Sequence, residues 1–161
     1  MDEIKGKGCS GSLRISAKIR RLTGRAIYRY DMITPGDRIA VGVSGGKDSL
    51  LLLHILKFIK TYSPVKYDLQ AFSVDMTNGA WDPAPLQNLC DALEVPLHVI
   101  PYAIEHILDV KREESPCSLC ANLRRGILNA AAQKAGCNKL ALGHHYNDVV
   151  ETFMMNLFNE G

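Results

Sequence analysis

An open parallel α/β sheet with helices on both faces is the fold class this sequence predicts, and three observations predict it. Four apolar runs of strand length alternate with segments of helical periodicity. Strands buried on both faces with helical crossovers between them give a parallel sheet. The first of them ends in a glycine-rich loop that opens a helix.

The helical segment that comes first, Ser12 to Tyr30, carries Ile15, Ile19, Leu22, Ala26 and Tyr30 at helical spacing, with Arg14, Lys18, Arg21, Arg25 and Arg29 on an adjacent stripe. After the Thr34-Pro35-Gly36 turn, residues 38–44 (RIAVGVS) read as a strand. A helix bearing Leu50, Leu53, His54, Leu56 and Lys57 follows. Residues 68–75 read as strand, Pro85 to Leu93 as helix, 96–102 as strand, Ser118 to Ala135 as helix, 139–145 as strand and Asp148 to Phe158 as helix. No internal repeat, low-complexity tract or linker divides the chain. The expected organisation is therefore a basic N-terminal helix, residues 1–36, packed on a single domain over 37–161.

A chain of 161 residues, 47% hydrophobic and 22% charged, has enough material for one core and too little for two ordinary ones. That composition excludes a disordered, collagen-like or coiled-coil chain. No apolar run approaches membrane-spanning length and the N-terminus lacks a signal-like apolar stretch, so a cytoplasmic address without membrane attachment is expected. The net charge of +2 hides an asymmetry: the first thirty residues hold eight Lys/Arg and two acids, and the rest of the chain is net acidic. An ordinary solvated helix face would carry such charges too. Five bases on one stripe with no acid among them favour contact with phosphates.

The most specific local signal is Gly42-Val43-Ser44-Gly45-Gly46-Lys47-Asp48-Ser49, where a strand gives way to a helix. Unpaired N–H groups at a helix N-terminus, glycines that let backbone wrap an anion, and a lysine together make a phosphate site. The spacing is not that of a Walker A loop, because three residues separate Gly42 from Gly46 and Asp48 follows the lysine. Nor is it the dinucleotide fingerprint, since Lys47 stands where the third glycine would be. Ligands of open sheets bind beyond the carboxyl ends of the strands, and two further strand ends offer polar groups there: Asp75, and Gly143-His144-His145 with Asn147 and Asp148 beyond. Asp75 reads equally well as a turn residue, and His145 as a helix cap.

Five cysteines without a secretory signal argue against a disulfide framework. Cys117 and Cys120 form a C-x-x-C pair ahead of a helix bearing Arg124 and Arg125, a setting that acidifies thiols for metal ligation or sulfur transfer. Incidental buried thiols are the plain alternative.

The S-G-G-K-D-S loop resembles that of the PP-loop (N-type) ATP pyrophosphatases, and GHHYNDVVET resembles the G-H-H-x-D-D-x-x-E-T segment of members that modify tRNA. With CSLCANLRRGIL, the likeness extends from the basic helix to the last residue and points to the tRNA 2-thiolation family, on its 2-thiocytidine branch. The resemblance implies an adenine nucleotide alpha hydrolase-like fold and an ATP-dependent tRNA sulfurtransferase that adenylates a cytidine O2 and replaces it with sulfur. It implies that Ser44, Gly45, Gly46, Lys47, Asp48 and Ser49, with Asp75, Gly143 and His144, bind ATP, with Mg²⁺ bridging the phosphates. Lys47, Asp148 and Arg124 become the catalytic candidates. Asn147 departs from the family by replacing its first aspartate.

The family's [4Fe-4S] cluster is held by three cysteines. Cys117 and Cys120 match two of them, and none of Cys9, Cys90 or Cys137 matches the third, which implies either a chain truncated at its C-terminus or one that lacks the third ligand. The implied partners are tRNA, met by the Arg14/Lys18/Arg21/Arg25/Arg29 stripe, and a sulfur donor such as a cysteine desulfurase or sulfide; a homodimer is compatible. Three other readings stay open: a tRNA lysidine synthetase-like ligase, an ammonia-using synthetase of the same loop type, and a nucleotide- or metal-binding RNA module without catalysis.

Overall fold

The computed structural model describes residues 15–77, 79–101, 116–144, 147, 148 and 150, with backbone alone over 116–122. The elements run α1 (Ala17–Arg29), β1 (Arg38–Gly42), α2 (Lys47–Tyr62), β2 (Asp68–Asp75), α3 (Ala84–Ala92), β3 (Leu97–Pro101), α4 (Pro116–Lys134) and β4 (Lys139–Leu142). The helix expected over Asp148 to Phe158 lies outside the described residues beyond its first positions. Among the described residues no helix is long and apolar enough to cross a membrane.

All strand pairs are parallel, in the order β3-β2-β1-β4. Gly42 at the end of β1 stands level with Phe72 of β2 on one side and Leu142 of β4 on the other. Side chains alternate across the pleat, so each strand feeds two layers. Ile39, Val41, Val43, Leu69 and Ala71 meet Leu53 and Leu56 of α2 and Leu86 and Cys90 of α3. Ala40 and Phe72 meet Leu128 and Ala132 of α4, with Cys137 beside them. The helices thus cover both faces, as expected. Because β1, β2 and β3 advance in one direction and β4 returns to the far side of β1, the carboxyl ends of β1 and β4 flank the switch point at which such sheets bind ligands.

At the opposite, amino end of the sheet, Asp37 is buried and ties its own turn to the start of β4. It accepts from Thr34 N at 2.6 Å and Asn138 Nδ2 at 2.8 Å, and pairs with Lys139 Nζ at 2.7 Å. These partners, Lys139 foremost, hold its carboxyl well below the usual carboxylate range against the opposing effect of burial.

Three expectations are corrected. The inner edge of α1 is not Ile15/Ile19/Leu22/Ala26/Tyr30: Ile19, Leu22 and Tyr30 are exposed, and the half-buried positions are Arg20, Thr23, Gly24, Ala26 and Ile27. The reason is that the Arg20 guanidinium stacks over the Phe58 ring at 4.5 Å, turning the helix by part of a turn. β3 is not buried on both faces, because it is the outer strand next to β2 and leaves His98 and Val99 exposed. The C-x-x-C pair does not precede α4 but lies in its first turns, since Pro116 opens the helix where a proline costs no hydrogen bond.

Candidate nucleotide-binding site

The loop between β1 and α2 is laced by its own serines. Ser49 Oγ donates to Gly46 O at 2.9 Å and accepts from Ser44 N at 3.2 Å, and Ser44 Oγ lies 3.3 Å from Ser49 Oγ and accepts from Gly46 N at 3.4 Å. Gly45 turns the chain at φ +80°, a left-handed conformation that side chains resist. Gly46 caps α2 without a side chain, so the first N–H groups of the helix are left to whatever anion the loop encloses. Asp48 in the first turn complements the helix dipole.

β4 ends directly against this loop. A Cβ on Gly143 would stand 2.8 Å from Ser49 N and 2.9 Å from its Cα, so the two backbones touch through a position that has no side chain. At the end of β2, Asp75 folds the following segment over the sheet edge. Its Oδ1 accepts from Thr77 N at 2.8 Å and Thr77 Oγ1 at 2.6 Å, its Oδ2 from Gly79 N at 2.8 Å, and Thr77 Oγ1 in turn accepts from Trp81 N at 2.7 Å. The Thr77 and Gly79 donors keep the Asp75 carboxyl below its ordinary pKa.

These pieces enclose a cavity of about 510 Å³, within the range of small-molecule sites. Ser44, Gly46, Asp48, Ser49, Asp75, Gly143, His144, Arg124 and Asp148 line it, so nine of the candidates chosen from sequence meet in one place. Gly45 and Lys47 are exposed and do not line the cavity. Asp75 contributes to the wall while both its oxygens hold the 75–81 turn, which joins the turn role to the ligand role.

The PP-loop domain model matches residues 14–161. The chain belongs to the PP-loop family. Among its PP-loop relatives is the tRNA-cytidine(32) 2-sulfurtransferase of Geobacter metallireducens, 44% identical over 151 residues that make up 89% of this chain and 57% of that protein. The protein of the same name from Teredinibacter turnerae is 38% identical over 163 residues, 100% of this chain and 54% of its own length. Among solved structures, the U34-tRNA thiolase NcsA from Methanococcus maripaludis with its [4Fe-4S] cluster superposes with a TM-score of 0.73 at 27% identity, covering 89% of this chain and 50% of that one. The chain spans a little over half the length of these curated relatives.

The described bases of α1 lie apart from the PP-loop cavity. Lys18, Arg21, Arg25 and Arg29 are exposed on α1, which packs on α2 at Phe58, about three turns beyond Lys47. Arg14, His145 and the side chains of Cys117 and Cys120 lie outside the described residues, so where the two thiols point is outside them as well. Cys90 and Cys137 are buried on opposite faces of the sheet, and burial pushes both thiols up, Cys90 to about 11. Sequence reasoning overlooked Thr77 and Trp81 and gave Arg125 only a part in acidifying the thiols; all three line the PP-loop cavity. Asp75 followed by Thr77 and Gly79 is a turn signature that could have flagged the first two.

Proposed function

We propose that this chain is the ATP-binding part of a tRNA-cytidine 2-sulfurtransferase. The observation that carries the reading is the convergence on one cavity of the PP-loop, the ends of β2 and β4, and the helix whose first turns contain Cys117 and Cys120. The name that these relatives share supports cytidine 32 of tRNA as the acceptor.

In this reading the free N–H groups at the start of α2, with Ser44, Gly45, Gly46, Ser49 and Lys47, hold the β- and γ-phosphates. Cytidine O2 attacks the α-phosphorus, the bond to the bridging oxygen breaks, and pyrophosphate leaves into the loop. A hydrosulfide-level sulfur then bonds to C2; the C2–O2 bond breaks, AMP departs carrying that oxygen, and the S–H proton passes to solvent. Asp48 and Asp148 line the cavity and would hold a Mg²⁺, which would supply charge neutralisation to the phosphates. Arg124 faces the acceptor nucleotide across the cavity, and Asp75, Gly143 and His144 shape the ATP pocket. The stripe of Arg14, Lys18, Arg21, Arg25 and Arg29 meets tRNA phosphates away from the reacting centre.

The fit for an iron–sulfur cluster rests on Cys117 and Cys120, one helical turn apart at the N-terminal end of α4, where the dipole favours thiolates. Cys90 and Cys137, buried in the two apolar layers, are unsuited to join them. A bound [4Fe-4S] cluster would hold the sulfur for transfer, delivered as sulfide or by a cysteine desulfurase whose persulfide sulfur an external thiol reductant brings to the sulfide level.

Protein purified without oxygen should contain iron and acid-labile sulfide. Given ATP, Mg²⁺, sulfide and unmodified tRNA, it should release AMP and leave 2-thiocytidine in the nucleoside digest. AMP release that is indifferent to tRNA, with no thiolated nucleoside formed, overturns the proposal.

A further inference from the structure

Arg124 and Arg125 stand side by side on α4 and both line the cavity. Successive residues of a helix diverge by about 100°, so the cavity faces the helix between the two side chains. Leu128, one turn further on, packs within 3.3 Å of where a Gly42 Cβ would be, which sets the pair level with the carboxyl end of β1. Helix α4 covers the face of the sheet opposite α2, so the two guanidinium groups and the N-terminus of α2 approach the cavity from its two sides.

An arginine on a helix surface ordinarily serves an acid three or four residues away. Helix α4 contains no acidic residue, and among the described residues neither arginine has a carboxylate partner. Gly126 follows them in the middle of the helix, where glycine costs about 1 kcal/mol relative to alanine. A Cβ there would meet nothing within 4 Å, so no packing demand requires the glycine, and the backbone beside the pair is open to close approach by a ligand.

We propose that Arg124 and Arg125 form the binding site for a backbone phosphate of the acceptor RNA; the inference rests on the tRNA-modifying reading and deepens it. In an in-line displacement the acceptor enters from the side opposite the leaving pyrophosphate. The PP-loop defines the leaving side. The acceptor side is therefore the α4 wall, and an acceptor that is a nucleotide within a chain brings a phosphate with it. Two planar donor forks with no carboxylate partner among the described residues match that phosphate, whereas the loop N–H groups and Lys47 are available to the ATP phosphates.

The test uses a 17-nucleotide anticodon stem-loop RNA with cytidine at position 32, and a nonhydrolysable ATP analogue. Removal of both guanidinium groups, R124A with R125A, should weaken RNA binding at least tenfold and lower the slope of log affinity against log salt by up to about two units. Affinity for the ATP analogue should stay within twofold of the parent. The single variant R125K, which keeps the charge and loses the fork, should recover the salt slope and only part of the affinity. Equal losses for RNA and the ATP analogue would assign the pair to ATP and overturn the proposal. Unchanged RNA affinity, with the parent protein binding RNA, overturns it as well while leaving the functional reading intact; a parent protein that binds the analogue and no RNA overturns both.

Discussion

Gly143, the residue after β4, lies in backbone contact with Ser49, the third residue of α2: a methyl group on Gly143 would sit 2.8 Å from the Ser49 amide nitrogen and 3.0 Å from the carbonyl carbon of Asp48. Neither neighbour is a flexible side chain that could swing away. The contact couples the far edge of the sheet to the first turn of the helix that closes the phosphate loop, and it exists because β4 pairs beside β1.

Gly143→Ala should therefore push the start of α2 out of position. The strain is expected to cost about 1–3 kcal/mol of stability, and affinity for an ATP analogue should fall by more than tenfold. Calorimetric titration together with a thermal melt checks this. A variant that melts and binds as the parent does would contradict the contact.

Lys47→Ala removes a cation at the mouth of the loop from a side chain that is exposed and packs on nothing in the core. The expected result is loss of roughly tenfold or more in ATP-analogue affinity, without a change in melting temperature. Unchanged affinity on titration would withdraw the lysine from the phosphate site.

Asp37→Asn should lower the urea midpoint at pH 7. A carboxyl whose folded-state pKa is depressed stabilises the fold wherever it is ionised in both states, above the unfolded value of about 3.9. That stabilisation is lost as pH falls from there towards the folded-state value. The gap between variant and parent should thus be full at pH 7 and shrink below about pH 4; a gap independent of pH would mean that the charge of Asp37 is not what the Lys139 pair uses.

Arg21→Ala with Arg25→Ala should weaken binding to all tRNAs alike and reduce the salt slope by up to about two units, while ATP-analogue affinity stays as in the parent. Arg20 is left in place because its guanidinium packs over Phe58 and its loss would disturb the seat of α1. Filter binding at several salt concentrations decides between phosphate contact and a plain solvated helix face.

Much of the site was legible because its residues sit at strand ends, and a strand end is a local event: an apolar run stops and glycines or polar residues begin. Ser44 through Ser49, Asp75 and Gly143-His144 were all readable this way. Arg125 was legible only as a charge near the thiols, because its place on the cavity wall depends on how the helix lies on the sheet. The inner edge of α1 was misread because periodicity counts apolar residues and gives no weight to an arginine whose stem and guanidinium can cover a phenylalanine.

The sequence by itself determined the kind and succession of the elements, the anion-binding chemistry of the loop after β1 and the family to which the chain belongs, since each depends on residues within a few positions of one another. Tertiary structure alone decided that β4 returns to the side of β1 away from β2, that α4 covers the face opposite α2, and that the basic stripe of α1 sits about three turns of helix from Lys47. Those are choices among distant partners. Apolar periodicity states that a face must be buried, not which element will bury it, and only the paired strands and packed layers settle which strand ends share a cavity.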